Sequence, residues 1–199
     1  MNVGYDMVNY YDLNAKDYID STINCDMQFH YKKFLKYLPK TGKILDVGFG
    51  SGRDMIYFNS LGYEVDGIDI SVEFVNNMKS QGFNVRLESA SEINYDNEYD
   101  GIWACASLLH IKREELEQTI IKCVNALKKN GIFYCSFKYG NKEIVKDNRY
   151  FNYINEDIIK EIVGKYNLHI VELYTTNDVR IDRNNELWLN VIIQNKMGE

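Results

Sequence analysis

The sequence predicts an α/β fold built on a seven-stranded, mostly parallel, doubly wound sheet, with a helical cap at the amino end and an antiparallel hairpin at the carboxyl end. Three observations carry this prediction. Between residues 43 and 137, short runs rich in Val, Ile and Phe alternate with stretches of helical periodicity. Those runs are nearly continuous in apolar residues, as strands covered on both faces are. After residue 167 the alternation stops. Two strand-like runs, Leu168–Thr175 and Leu187–Gln194, are joined by a polar stretch too short for a crossover helix, so they must pair antiparallel.

Each element has a local cause. Residues 1–40 read as helical, with Asp26 as a cap and Phe29, Lys33 and Tyr37, or Phe34 and Leu38, at helix spacing, before Pro39, Thr41 and Gly42 break the chain. Ile44–Val47 is the first strand and runs into glycines. A helix over Asp54–Leu61 is stopped by Gly62, and Tyr63–Ile68 is the second strand. Ser71 caps a helix with Val72, Val75 and Met78 on one face, and Gly82 ends it. Phe83–Leu87 and Asp100–Ala106 are the third and fourth strands. Arg113–Lys129 reads as a long amphipathic helix with Leu116, Ile120, Cys123 or Val124, and Leu127 inward. Asn130 and Gly131 end that helix ahead of a fifth strand, Ile132–Phe137, and Asn155–Tyr166 is a last helix. We expect one domain over 1–199, with the cap at 1–40 and the core at 41–199.

Composition excludes several classes. The 199 residues are 45% hydrophobic and 26% charged, which suits a folded globular chain. Acidic residues outnumber basic ones 29 to 23, a net charge of −6 that argues against nucleic acid or an anionic membrane as partner. No apolar run approaches the ~18 residues of a membrane helix, and the polar, tyrosine-rich start has no signal-peptide pattern. Cys25, Cys105, Cys123 and Cys135 are far apart without a CxxC pair, so neither a disulfide framework nor a zinc site is expected, and the chain reads as reduced and cytoplasmic. No His, Asp and Glu cluster has metal-ligand spacing, and we expect no metal.

The chemistry lies in Lys43-Ile-Leu-Asp46-Val-Gly48-Phe49-Gly50-Ser-Gly52-Arg53-Asp54, a strand running into three glycines and then a helix. Glycines there permit a tight turn and close approach of backbone to a ligand, at the carboxyl end of a strand where open α/β sheets bind ligands. Arg53 stands where the third glycine of a dinucleotide fingerprint belongs, and Asp46 would be awkward beside a pyrophosphate. Asp69, at the end of the second strand, is placed to accept from two ribose hydroxyls. An adenosine without phosphates and with a cationic centre describes S-adenosylmethionine.

On these residues the chain resembles the class I S-adenosylmethionine-dependent methyltransferases, which are Rossmann-like, over about Ile44–Phe137 and again at the terminal hairpin. Asp46–Gly52 resembles the family's first motif, Asp69 its ribose-binding acid, and Leu127-Lys-Lys-Asn-Gly131-Ile-Phe its Leu-Lys-Pro-Gly-Gly turn. Within the class, Gly52–Tyr57, Trp103–His110 and the Tyr11-Asp-x-x-Ala15-x-x-Tyr18 entry resemble the small bacterial tellurite-resistance and thiopurine methyltransferase group. Phe49 departs from the family where a small residue is usual, and Ser89 where an adenine-binding Asp is usual, with Glu88 or Glu92 as substitutes.

The resemblance implies a cofactor site of Asp46, Gly48, Phe49, Gly50, Gly52, Arg53, Asp69, Ile70, Ser89, Ala90 and Ala104, with Arg53 facing the methionine carboxylate. His110, after the fourth strand, is the candidate general base, and Tyr11 the candidate partner at the cationic centre. Lys138, Tyr139, Arg149 and Tyr150 are expected to border the acceptor pocket, and Trp188, His30 and His169 to be structural. The expected acceptor is a small molecule and the expected state a monomer or homodimer. An RNA (tRNA) or protein methyltransferase, or a non-catalytic cofactor-binding module, is the alternative. Base-flipping enzymes with an Asp/Asn-Pro-Pro-aromatic tetrad or a Pro-Cys nucleophile are excluded, because Pro39 is the only proline.

Overall fold

The computed structural model describes residues 3–166, 168–180, 183 and 185–196. Three helices come first: α1 (Val3–Leu13), α2 (Ala15–Thr22) and α3 (Gln28–Leu35). The alternating region follows as β1 (Lys43–Val47), α4 (Arg53–Ser60), β2 (Glu64–Asp69), α5 (Val72–Ser80), β3 (Asn84–Leu87), β4 (Tyr99–Ala104), α6 (Arg113–Ala126) and β5 (Leu127–Lys138). A small hairpin of β6 (Glu143–Lys146) and β7 (Arg149–Asn152) precedes α7 (Glu156–Gly164), β8 (Leu168–Asn177) and β9 (Leu187–Asn195).

Seven strands form one sheet in the order β3-β2-β1-β4-β5-β9-β8, the first five parallel and the last two antiparallel. This is the predicted doubly wound fold. The chain reverses its direction of growth between β1 and β4, and that switch point opens a crevice outside the strands' carboxyl ends. Alternation along each strand divides the core in two. Leu45, Val47, Ile102, Ala104, Phe133 and Cys135 pack with α6 and α7 on one face. Ile44, Trp103, Ile132 and Tyr134 pack with α3, α4 and α5 on the other. Asp46 pairs with Trp103 across the sheet, so its carboxylate belongs to the second face, under the glycine turn.

Ser71 caps α5 as expected, whereas the N-cap of α3 is Met27, one residue after the expected Asp26; Asn155 caps α7 as well. The Asp26 carboxylate accepts from Gln28 N–H, Ser71 Oγ from Phe74 N–H and Asn155 Oδ1 from Ile158 N–H. Two more expectations are corrected. Val72 is exposed, and α5 buries Phe74, Val75 and Met78 instead. The long helix stops at Ala126 rather than Lys129, because Leu127 turns extended (φ −78°, ψ 140°) and pairs with Tyr99 of β4. Leu127 is still fully buried, as a strand residue. The β6–β7 hairpin was not foreseen; its turn residues Asp147 and Asn148 both have positive φ, 50° and 55°, the backbone of a tight two-residue connection.

Candidate active site

Three cavities meet at the carboxyl edge of the sheet, and all three share the walls Tyr18 and Ala106. The first, about 100 Å³, is a crevice between the glycine turn, the ends of β2 and β3 and the covering helix α1; Gly48, Gly50, Asp69, Ile70, Ser89 and Ala90 line it. The second, also about 100 Å³, lies beside Arg53, Cys105 and Ser136. The third, about 280 Å³, opens beyond Tyr11 and His110 toward the β6–β7 hairpin. At the junction Ala106 holds φ +54°, a left-handed conformation costly for a residue with a Cβ, and its N–H donates to Ser136 Oγ at 2.8 Å.

The glycine turn is shaped by close approach. Gly48 has φ +71°, and a Cβ there would meet Ser107 Cβ at 2.5 Å. Gly52 caps α4, and its Cβ would meet Met78 Sδ at 2.1 Å, so its role is packing α4 against α5 rather than lining a cavity. Phe49 turns away from the crevice into the second core face, in the space left by Gly67, where a Cβ would lie 2.7 Å from its ring. That packing explains how a large side chain fits inside the turn. Ala104 is fully buried in the first core face and lines none of the three cavities; its successor Cys105 does.

Three carboxylates surround the turn and behave differently. Asp69 accepts from Gly50 N–H and Ser71 N–H, each at 2.9 Å, one on each oxygen. Burial outweighs these bonds and pushes its pKa up to about 6. Asp54 is bound by the Arg53 guanidinium at 2.6 and 2.9 Å and by the Trp103 indole N–H at 2.7 Å. Burial opposes its ionisation, yet Arg53 and these donors hold its pKa below the usual carboxylate range. Asp46 is nearly inaccessible, and its Oδ2 has no hydrogen-bond partner. Burial and the neighbouring Asp54 drive its pKa well above normal. Asp66, three residues before Asp69 on β2, is by contrast fully engaged with Lys43, Asn84 and Tyr99.

Ser89 lines the crevice, but its hydroxyl accepts from Ser91 N–H while Glu92 reaches back to Ser89 N–H, a capping box. Glu92 is thereby committed; Glu88 lines the crevice while it accepts from the Tyr95 hydroxyl and lies 3.6 Å from Arg86.

Tyr11 and His110 line both the crevice and the large cavity and are hydrogen-bonded to each other at 2.8 Å. His110 Nδ1 lies 2.7 Å from the Tyr150 carbonyl oxygen, which can only accept. Nδ1 therefore carries the hydrogen, Nε2 is the acceptor, and the Tyr11 hydroxyl donates to it. Burial, with Arg149 and Lys138 nearby, lowers the His110 pKa to about 4, so the imidazole is neutral at physiological pH. Burial raises the Tyr11 pKa against the opposing pull of Arg149. The other ties of α1 run from Asp12 to Ser71 Oγ (2.6 Å) and from the Tyr10 ring to Arg149 (4.0 Å).

Of the residues expected at the acceptor pocket, Lys138 and Arg149 line the large cavity, Tyr150 supplies the carbonyl that orients His110, and Tyr139 lines no cavity. Trp188, expected in the core, walls two cavities. Topology could have placed it: β9 runs antiparallel to β5, so it starts at the edge where β5 ends, and Trp188 pairs with Lys138. His30 also lines the Arg53 cavity, stacked on Tyr174, with burial lowering its pKa to about 4.

Residues 45–135 match a family model described as a methyltransferase domain. Phosphoethanolamine N-methyltransferase of Plasmodium falciparum (isolate 3D7) is 31% identical over 129 residues, 57% of this chain and 48% of that protein. An uncharacterized methyltransferase of Staphylococcus carnosus (strain TM300) is 26% identical over 160 residues, 71% of this chain and 76% of that one. The chain thus spans about half the length of the Plasmodium relative. The crystal structure of Burkholderia thailandensis 1,6-didemethyltoxoflavin-N1-methyltransferase, with 1,6-didemethyltoxoflavin and S-adenosylhomocysteine bound, shares the fold. Its TM-score is 0.77 at 17% identity, over 96% of this chain and 88% of that one. Among the described residues, no helix is long and apolar enough to cross a membrane.

Proposed function

We propose that the protein transfers the methyl group of S-adenosylmethionine to a nucleophile on a small molecule. The observation that carries this reading is the Tyr11–His110 pair on the wall common to the crevice and the large cavity. A donor held in one and an acceptor held in the other would meet at that wall.

The residues present fit the cofactor. Asp69 has lone pairs left for ribose hydroxyls after its two backbone bonds. Gly48 leaves a cradle that a Cβ would close, Glu88, Ser89 and Ala90 suit the adenine end, and Ile70 flanks the ribose. Arg53 offers its remaining donors to the carboxylate of the methionine end. Asp46, whose Oδ2 has no partner, sits beneath the turn, where a nearby cation would favour its ionised form. When bound, S-adenosylmethionine supplies an electrophilic methyl on a sulfonium.

The side chains then align and dehydrate the acceptor, which can account for roughly 7–11 kcal/mol of the barrier at the upper end. Because His110 Nε2 takes the Tyr11 hydrogen, the Tyr11 oxygen presents lone pairs toward the acceptor's N–H or O–H. His110 thus acts through Tyr11, and a proton leaving the acceptor passes to the Tyr11 oxygen as the Tyr11 proton shifts to Nε2. The face of Tyr18 at the junction suits a cation. Within the class we infer kinship with the tellurite-resistance and thiopurine group, supported by Gly52–Tyr57 and Trp103–His110.

Purified protein incubated with methyl-labelled S-adenosylmethionine and a small-molecule extract should place label in low-molecular-mass products. Label confined to added tRNA or protein would overturn the small-molecule reading, and cofactor binding without transfer to any acceptor would overturn catalysis.

A further inference from the structure

We propose that the large cavity holds an acceptor with an anionic head, a carboxylate or a phosphate, and that Arg149 is the side chain that anchors it. This rests on the methyl-transfer reading above and names its substrate class. The polar wall of the cavity is mainly cationic: Lys138, Lys146, Arg149, Arg180 and Arg183, the last itself engaged, face Asp147 and Glu186.

Three more of those cations are accounted for. Lys138 is paired with Glu186, Arg180 is held by Asp178 at 2.6 and 2.9 Å, and Lys146 stands exposed at the rim. Arg149 differs. Its side chain is only 14% exposed, Asp147 lies 3.7 Å away, the Tyr11 hydroxyl is within its reach, and its Nε is buried with no hydrogen-bond partner among the described residues. The rings of Tyr10 and Phe151, 4.0 and 5.1 Å from the guanidinium carbon, steady its plane without taking its N–H hydrogens.

A buried donor left unpaired is costly, and a fork-shaped cation lining a cavity is completed by a two-oxygen anion. Arg149 also opens β7, whose next residue contributes the carbonyl that orients His110. One short strand therefore fixes the head of the acceptor and the hydrogen-bonding pair that receives its proton.

The test titrates wild-type protein, alone and saturated with S-adenosylhomocysteine, with inorganic phosphate and separately with acetate, by calorimetry against sodium chloride at matched ionic strength. Saturable binding of at least one anion is expected, and which one binds identifies the head. Arg149→Gln should weaken it about tenfold or more, and Arg149→Lys by less. Circular dichroism reports whether each variant folds. Absence of saturable anion binding to wild-type protein, or equal binding by folded Arg149→Gln, overturns the proposal. Failure of wild-type protein to bind S-adenosylhomocysteine removes the methyltransferase reading instead, and anion binding to the protein alone still decides the role of Arg149.

Discussion

Asp69 gives the most exacting test of the cofactor site. In the free protein its pKa is raised to about 6 by burial, against an ordinary 3.8. Ribose hydroxyls donate best to the ionised carboxylate, so cofactor binding pulls this pKa back down and releases a proton near pH 6. Linkage then fixes the size of the effect: with a free-state pKa of about 6, affinity for S-adenosylhomocysteine should fall about tenfold from about pH 7 to about pH 5. The same shift acts on folding with the opposite sense. A raised carboxylate pKa contributes stability that is complete below the unfolded value and is lost as pH rises through about 6, at a cost of up to ~3 kcal/mol. Ligand-induced thermal stabilisation should therefore grow with pH over the window in which the free protein weakens. Calorimetry in two buffers of different ionisation enthalpy measures the released proton directly, and Asp69→Asn should abolish both the release and the affinity slope. A flat affinity between these pH values would refute the reasoning. A slope that survives in Asp69→Asn would assign the proton to another group, with Asp46 the first suspect.

Other outcomes follow from the same geometry. Tyr11→Phe removes the hydroxyl bonded to His110 Nε2 and should lower kcat by about 10²-fold or more with little change in S-adenosylhomocysteine affinity. Because His110 titrates at about 4, kcat should show no acidic limb from it above about pH 5. Gly48→Ala forces a Cβ into Ser107 at positive φ; thermal denaturation should show a loss of more than ~1 kcal/mol, and cofactor binding should fail. Trp103→Phe leaves buried Asp54 short of one donor, which urea denaturation should register as about 1–3 kcal/mol.

The fold was legible because the apolar runs and their caps are local signals: Ser71, Asn155 and the glycine turn each specify their own element. That Gly48, Gly50, Asp69 and Ile70 would line one crevice was legible for the same reason, since they follow two neighbouring strands of known order. What was hidden depends on parity and on distant pairing. Ala104 and Phe49 face the core because of their places in the alternation and the gap at Gly67, which the motif does not encode. The Asp147-Asn148 turn lacks glycine and passes as an ordinary charged loop, although it brings Arg149 and Tyr150 to His110. The link between Tyr11 and His110 spans 99 positions, and only the tertiary structure reveals it.

The charge of the two compartments explains why a chain of net charge −6 can treat its two ligands differently. Around the glycine turn, Arg53 neutralises Asp54, while burial biases Asp46 and Asp69 toward their neutral forms. A pyrophosphate would drive these carboxyls further toward protonation, whereas a sulfonium or ammonium would favour their ionised forms. Across the Tyr18–Ala106 junction the sign reverses, and Lys138, Arg149 and Arg180 line the neighbouring cavity. A cationic donor and an anionic acceptor are thereby directed to opposite sides of one wall. Transfer of a methyl from a sulfonium to an amine, thiol or hydroxyl moves positive charge across that wall, toward the side where an anionic head on the acceptor can balance it.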